Sequence, residues 1–198
     1  MGEGLTDQMG LLEELSKQGK VRVETLAASG EWFRKTFATT PETCVTALED
    51  WKNEGRASVW YNSRYYRANV FWDKDGLCIR DIHLFDERYP ERYLTEVETS
   101  SSCVYDTLPV VDGFCWSTRE HRAGLTPVAI TEGKTIQLSG RAPVVEEVWG
   151  NKLRVRWPLL DIGELEAVFQ KDTILFTITK VPGELHWGLQ LAWSPEKR

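Results

Sequence analysis

From Ala57 onward the chain is a succession of short strand-like segments with turn signals between most of them, and no other feature limits the fold as strongly. The segments are "ASVWYN", "RYYRANVFW" and "LCIRDIHLF", then "TPVAI", "TIQLSG", "PVVEEVWG", "LRVRWP", "GELEAVFQ", "TILFTITK" and "ELHWGLQLAW". "DKDG" joins the second to the third, and Gly133-Lys134, Gly150-Asn151 and Lys171-Asp172 are residues that tolerate tight hairpin turns. Roughly ten strands at this spacing call for an antiparallel β-sandwich or a barrel. The expected class is therefore mainly β, an antiparallel β-sandwich with a short N-terminal α/β segment. The stretch from Asp86 to Arg122 has no clear periodicity, which makes it the expected functional loop region.

Residues 1–52 follow another pattern. Met9, Leu11, Leu12, Leu15 and Ser16 fall at helical spacing, with Thr6 as the expected N-cap and Gly19 as the expected stop. "VRVETL" alternates like a strand through Val21, Val23 and Leu26. "SGEWFRKTF" reads as a helix opened by Ser29 that buries Trp32, Phe33 and Phe37. Thr40-Pro41 resembles a cap and first-turn proline ahead of a further helical stretch, "ETCVTALEDW". The expected division is a helix-strand-helix segment over 1–52 and a sandwich over 53–198. One helix-strand-helix unit cannot close a sheet by itself, so the segment reads either as packed on the sandwich or as the end of an α/β barrel.

Composition excludes some functions. In 198 residues, 41% are hydrophobic, enough for a real core. The formal net charge is −6, which argues against nucleic acid and against an anionic membrane surface. No apolar run approaches the roughly 18 to 20 residues that span a bilayer, and the acidic, amphipathic N-terminus is unlike a secretory signal. Cys44, Cys78, Cys103 and Cys115 form no C-x-x-C pair and suit free thiols in a reducing compartment, so a cytoplasmic location is expected. His83, His121 and His186 are widely separated, and the sequence names no metal site and no cofactor. Nine tryptophans are an excess that fits core filling or stacking platforms for sugar rings.

The densest chemistry lies in "IRDIHLFDERYPERY". If Leu77 to Phe85 alternates as a regular strand, Ile79, Asp81, His83 and Phe85 share one face, and Cys78, Arg80, Ile82 and Leu84 share the core side. Asp81 is then placed to orient His83, a device for general base catalysis. Glu87 is the further catalytic candidate. Asp86 and Arg88 are expected on a binding rim. In the preceding hairpin Trp60, Tyr65, Arg67, Asn69 and Trp72 combine flat rings with planar hydrogen-bonding groups, as a saccharide site does. G-x-S-x-G, H-E-x-x-H, Walker and Rossmann patterns do not occur.

"MGLLEELSKQGKVRVETLAASGEWFRKTF" resembles the closing repeat of the catalytic barrel in bacterial polysaccharide-deacetylase-like and family 57 glycoside-hydrolase-like proteins, and the β-rich remainder resembles the sandwich domains that follow such barrels. The resemblance implies catalytic residues on earlier barrel strands, none of which can be carried onto this chain. It implies an accessory module that binds a saccharide or packs on a catalytic domain or partner chain. The alternatives are a small carbohydrate-active hydrolase, lyase or epimerase using Asp81 and His83, and a calycin-like barrel holding an apolar ligand.

Overall fold

The structure, a computed structural model, describes residues 2–101, 107–160, 162–179 and 185–197. These form two compact units, 1–40 and 41–198. The first holds α1 (Gly2–Lys17) and α2 (Leu26–Thr36). Gly19 ends α1 as expected: at φ +69° it lets its own N–H reach Ser16 O and the Lys20 N–H reach Leu15 O, the paired bonds of a Schellman cap. Thr6 is not the N-cap, because the helix starts earlier and its hydroxyl donates back to Gly2 O. "VRVETL" is not a strand. Thr25 ends it by capping α2, accepting from the Ala28 N–H at 3.2 Å, while Ser29 lies inside the helix and donates to Glu24. Trp32, Phe33 and Phe37 do gather, with ring centroids 4.9 to 6.5 Å apart, yet α2 buries no residue.

The second unit is an antiparallel β-sandwich. Its strands are β1 (Thr43–Ala47), β2 (Ala57–Asn62), β3 (Tyr66–Asp73), β4 (Gly76–Leu84), β5 (Leu108–Asp112), β6 (Gly124–Thr131), β7 (Lys134–Gln137), β8 (Val144–Val148), β9 (Lys152–Leu159), β10 (Gly163–Phe169), β11 (Ile174–Thr179) and β12 (His186–Ala192). The larger sheet runs β1-β2-β3-β4-β6-β12, with β5 also paired to β4 and β7 to β6; the smaller runs β11-β10-β9-β8. All ten expected strands form. Two more were read otherwise. Residues 43–47, expected to be helical, pair with β2 from Thr43–Asn62 to Ala47–Ser58, because β-branched Thr43, Val45 and Thr46 suit a sheet edge and Cys44 packs on the core. The sheet unit thus begins ahead of residue 53. Residues 108–112 hide behind Pro109, which suits only an edge position.

The core lies between the sheets. Val59, Tyr61, Tyr66, Ala68, Val70 and Trp72 of β2 and β3 face Leu153, Val155, Trp157, Leu165 and Phe169 of β9 and β10. Tyr66 ties the layers, donating its hydroxyl to Gln170 O at 2.7 Å and Thr173 O at 3.2 Å in the β10–β11 turn. On β9 the period of two is strict: Arg154 and Arg156 point out, where Glu146, Glu164 and Glu166 meet them across the sheet at 2.8 to 3.8 Å. The sheets do not close into a barrel. A void of about 10 Å³ lies between them at Val70, Ile79, Trp157 and Phe176. The calycin-like alternative calls for a closed barrel, which these sheets do not form.

Among the described residues no helix is long and apolar enough to cross a membrane. Cys44, Cys78 and Cys115 are free thiols, and Cys103 lies outside the described residues.

Candidate functional site

The site is made by one extra residue. On β3 the alternation holds, sending Arg67, Asn69 and Phe71 to the outer face of the larger sheet and Ala68, Val70 and Trp72 inward. On β4 the register slips: Asn69 pairs with Asp81 but Val70 pairs with Ile79, leaving Arg80 as a bulge. A bulge reverses the faces on one side of it. Leu77 and Ile79 therefore join the core, and Cys78 and Arg80, expected inward, lie outside with Asp81 and His83. The apolar environment wins because exposing Ile79 costs more than one unpaired ladder position.

Asp112, the last residue of β5, pairs directly opposite Asp81. Two carboxylates so placed repel each other. Arg67 and His83 offset this. Arg67 Nε lies 3.0 Å from Asp81 Oδ1, and its terminal NH2 lies 3.4 Å from Oδ2 and 3.2 Å from His83 Nδ1. A guanidinium only donates, so Nδ1 accepts and the imidazole proton sits on Nε2. Nε2 lies 3.5 Å from both Asp81 Oδ2 and Asp112 Oδ2 and has no closer partner. Asp81 is 0%, His83 4% and Asp112 8% exposed. Burial pushes the Asp112 carboxyl up, but the N–H groups of Cys115 and Phe114 and nearby His83 leave it net below its usual range.

Asp81, His83 and Asp112 are, among the described residues, a group whose donor atoms all lie within 4.8 Å, close enough to hold a metal ion. A metal on Nε2 needs that lone pair. Arg67 donating at Nδ1 gives Nε2 the proton instead, and its guanidinium already engages both Asp81 oxygens. The arrangement is that of a closed polar pin, with the imidazole Nε2 facing two carboxylates where a metal would sit.

The loop after Asp112 covers the pin. Asp112 Oδ1 accepts from the Cys115 N–H at 2.9 Å, the Gly113 N–H reaches Arg80 O at 2.6 Å, and Ser117 Oγ donates to Gly113 O while accepting from the Ala123 N–H at 2.8 Å. Phe114 then stacks on Trp60 at 6.0 Å and 10° and lies 4.2 Å from the Arg80 guanidinium carbon. Phe71 lies 4.8 Å from both Arg80 and Arg122. Trp60, Phe114, Arg80, Phe71 and Arg122 thus form one continuous series of ring and guanidinium contacts. Asn69 supports it from below, fully buried, accepting from Arg80 Nε at 3.2 Å and donating to Val59 O at 3.2 Å.

Beside this series opens a groove of about 690 Å³, lined by Arg80, Gly113, Ser117, Thr118, Arg122 and Gln137 among others. A second cleft, of about 630 Å³, lies where Asp50, Asn53 and Arg56 meet Trp72, Arg141 and Trp157.

The structure brings together Arg67, Asn69, Asp81, His83 and Trp60. It does not bring the rest. Trp72 packs in the core with one edge at the second cleft. Tyr65 is exposed near Arg64 and Lys171. Asp86 and Arg88 bind each other, which holds the Asp86 carboxyl at about 2. Glu87 pairs with Arg64 at 2.9 Å in the open. His121 and His186 are exposed and do not join His83. Sequence reasoning missed Asp112, Gly113, Phe114 and Arg80. The signal available was "VDGFCW", an Asp-Gly turn followed at once by aromatics.

Comparison with family models, with curated proteins and with solved structures finds no match for this chain.

Proposed function

We propose that the sandwich is a non-catalytic binding module of a carbohydrate-active system, taking a saccharide in the groove beside Arg80. The observation that carries the reading is the contrast between the two polar features of the outer sheet face. The Asp81–His83–Asp112 pin is shut, whereas the adjacent groove is open and lined by the hydroxyl, amide and guanidinium residues Thr118, Thr126, Gln137 and Arg80. Convergent planar and hydroxylic groups in a concave surface are what a polyhydroxylated ligand requires.

The enzymatic alternative needs His83 within hydrogen-bond reach of a substrate. One ring nitrogen of His83 is engaged by Arg67, the other faces two carboxylates, and the residue is buried. Titration calorimetry with a panel of neutral and acidic monosaccharides and disaccharides, run beside an assay for new reducing ends, tests the reading. Saturable heat without turnover is expected. No binding to any saccharide would overturn the proposal, and turnover lost in His83→Ala would establish the enzymatic alternative.

A further inference from the structure

Resting on that reading of the groove, we infer that its ligand carries an oxyanion, a carboxylate or phosphoryl group, and that Arg80 is the anchor. Neighbouring arginines of the larger sheet and its loops are paired with carboxylates. Arg67 is matched by Asp81, Arg122 by Asp73, Arg64 by Glu87 and Arg88 by Asp86. Arg80 has no carboxylate within 4.0 Å among the described residues, although it is half-buried. Burial pulls its pKa down from the usual arginine value, a sign of an uncompensated cation.

The bulge aims Arg80 at the groove, and three groups hold it there. Nε is used by Asn69 Oδ1, and the rings of Phe71 and Phe114 lie against the guanidinium carbon. The two terminal nitrogens have no hydrogen-bond partner among the described residues, and Arg80 lines the groove. A planar fork with both ends unpaired, already immobilised, matches the two oxygens of a carboxylate or of a phosphoryl group. Immobilisation before binding removes most of the side-chain ordering cost.

A broad positive field is not the cause. Asp75 and Glu120 line the same groove and offset Arg119, and Arg122 is committed to Asp73. Selection therefore rests on the local fork, and the remaining polar lining, Thr118, Thr126 and Gln137, is left for hydroxyls.

The test compares glucuronate, glucose and inorganic phosphate by calorimetry on the full chain and on Arg80→Lys, which keeps the charge but loses the fork. Far-ultraviolet circular dichroism checks that the variant is folded. Glucuronate is expected to bind about 10-fold or more tighter than glucose, and Arg80→Lys is expected to remove that difference. The wild-type comparison stands even if the variant misfolds. Equal binding of glucose and glucuronate with no effect of phosphate overturns the oxyanion inference and leaves the saccharide reading intact. Phosphate binding with neither sugar bound upholds the oxyanion site as a phosphoryl site and overturns the saccharide reading. No binding of any of the three overturns both.

Discussion

The terminal NH2 of Arg67 lies 3.2 Å from Nδ1 of His83, and this contact decides what the histidine can do. It makes Nδ1 an acceptor and leaves the proton on Nε2, facing Asp81 and Asp112. A base poised for catalysis presents a lone pair to an open site. His83 presents a proton to two buried carboxylates.

Removing Arg67 should therefore cost stability. Asp81 is fully buried, and Arg67→Ala strips the guanidinium that pairs with it. Arg67 itself is partly exposed, which reduces the loss, so about 3 kcal/mol is expected from urea unfolding. Asp81→Asn in the Arg67→Ala background should recover part of it, since a neutral amide needs no counter-charge. A loss below about 0.5 kcal/mol, the range of ordinary surface changes, would mean that the pair does not hold this face together.

Acid should loosen the same region. The Asp112 and Asp73 carboxyls both sit below their usual value of 3.8 in the folded protein. For a depressed carboxyl the stabilisation is complete above the unfolded pKa and is lost as pH falls through the folded one. Stability measured by urea midpoint should fall below about pH 4. Asp112→Asn should fall less steeply over that window, because the group that binds the extra proton on unfolding is gone. An identical slope in the variant would remove Asp112 from the account.

Gly113 is needed for close approach. A Cβ there would meet the Arg80 carbonyl and side chain and lie 2.8 Å from Ala123 O. Gly113→Ala should destabilise by about 1 to 3 kcal/mol through overpacking and lift the loop from the sheet. Ligand affinity in the groove should drop with it. Thermal unfolding and calorimetry on the same sample check both effects.

The tryptophans should divide sharply. Trp157 is 2% exposed in the core and Trp149 is 94% exposed. Trp157→Ala should cost about 3 to 5 kcal/mol, and Trp149→Ala should stay within about 0.5 kcal/mol. Equal effects would mean that the core does not lie between the sheets as described.

The sandwich was legible because alternation and turn chemistry are local. "LRVRWP" shows its period of two, and "DKDG" and Gly150-Asn151 carry their turns in their own residue types. The faces of Tyr66, Ala68, Val70 and Trp72 followed from the same rule. What escaped depends on partners distant in sequence. The bulge at Arg80 exists because β3 and β4 must both bury their apolar residues, and no single strand reveals it. Residues 43–47 read as helical until β2 offers them a ladder. Asp112 is an ordinary turn aspartate until β5 sets it opposite Asp81. Of the residues expected nearby, Asp86 and Arg88 on the binding rim pair with each other two positions apart, and the catalytic candidate Glu87 pairs with Arg64 in the β2–β3 turn.

The most direct test is a two-dimensional NMR titration of the folded chain with glucuronate, following backbone amides and arginine Nε–H signals. Shifts are predicted at Arg80 Nε–H, Gly113, Thr118 and Gln137, with Asp81 and His83 little changed. Shifts confined to Asp50, Asn53 and Arg56 at the second cleft, or centred on His83, would contradict the assignment of the groove beside Arg80 as the binding site.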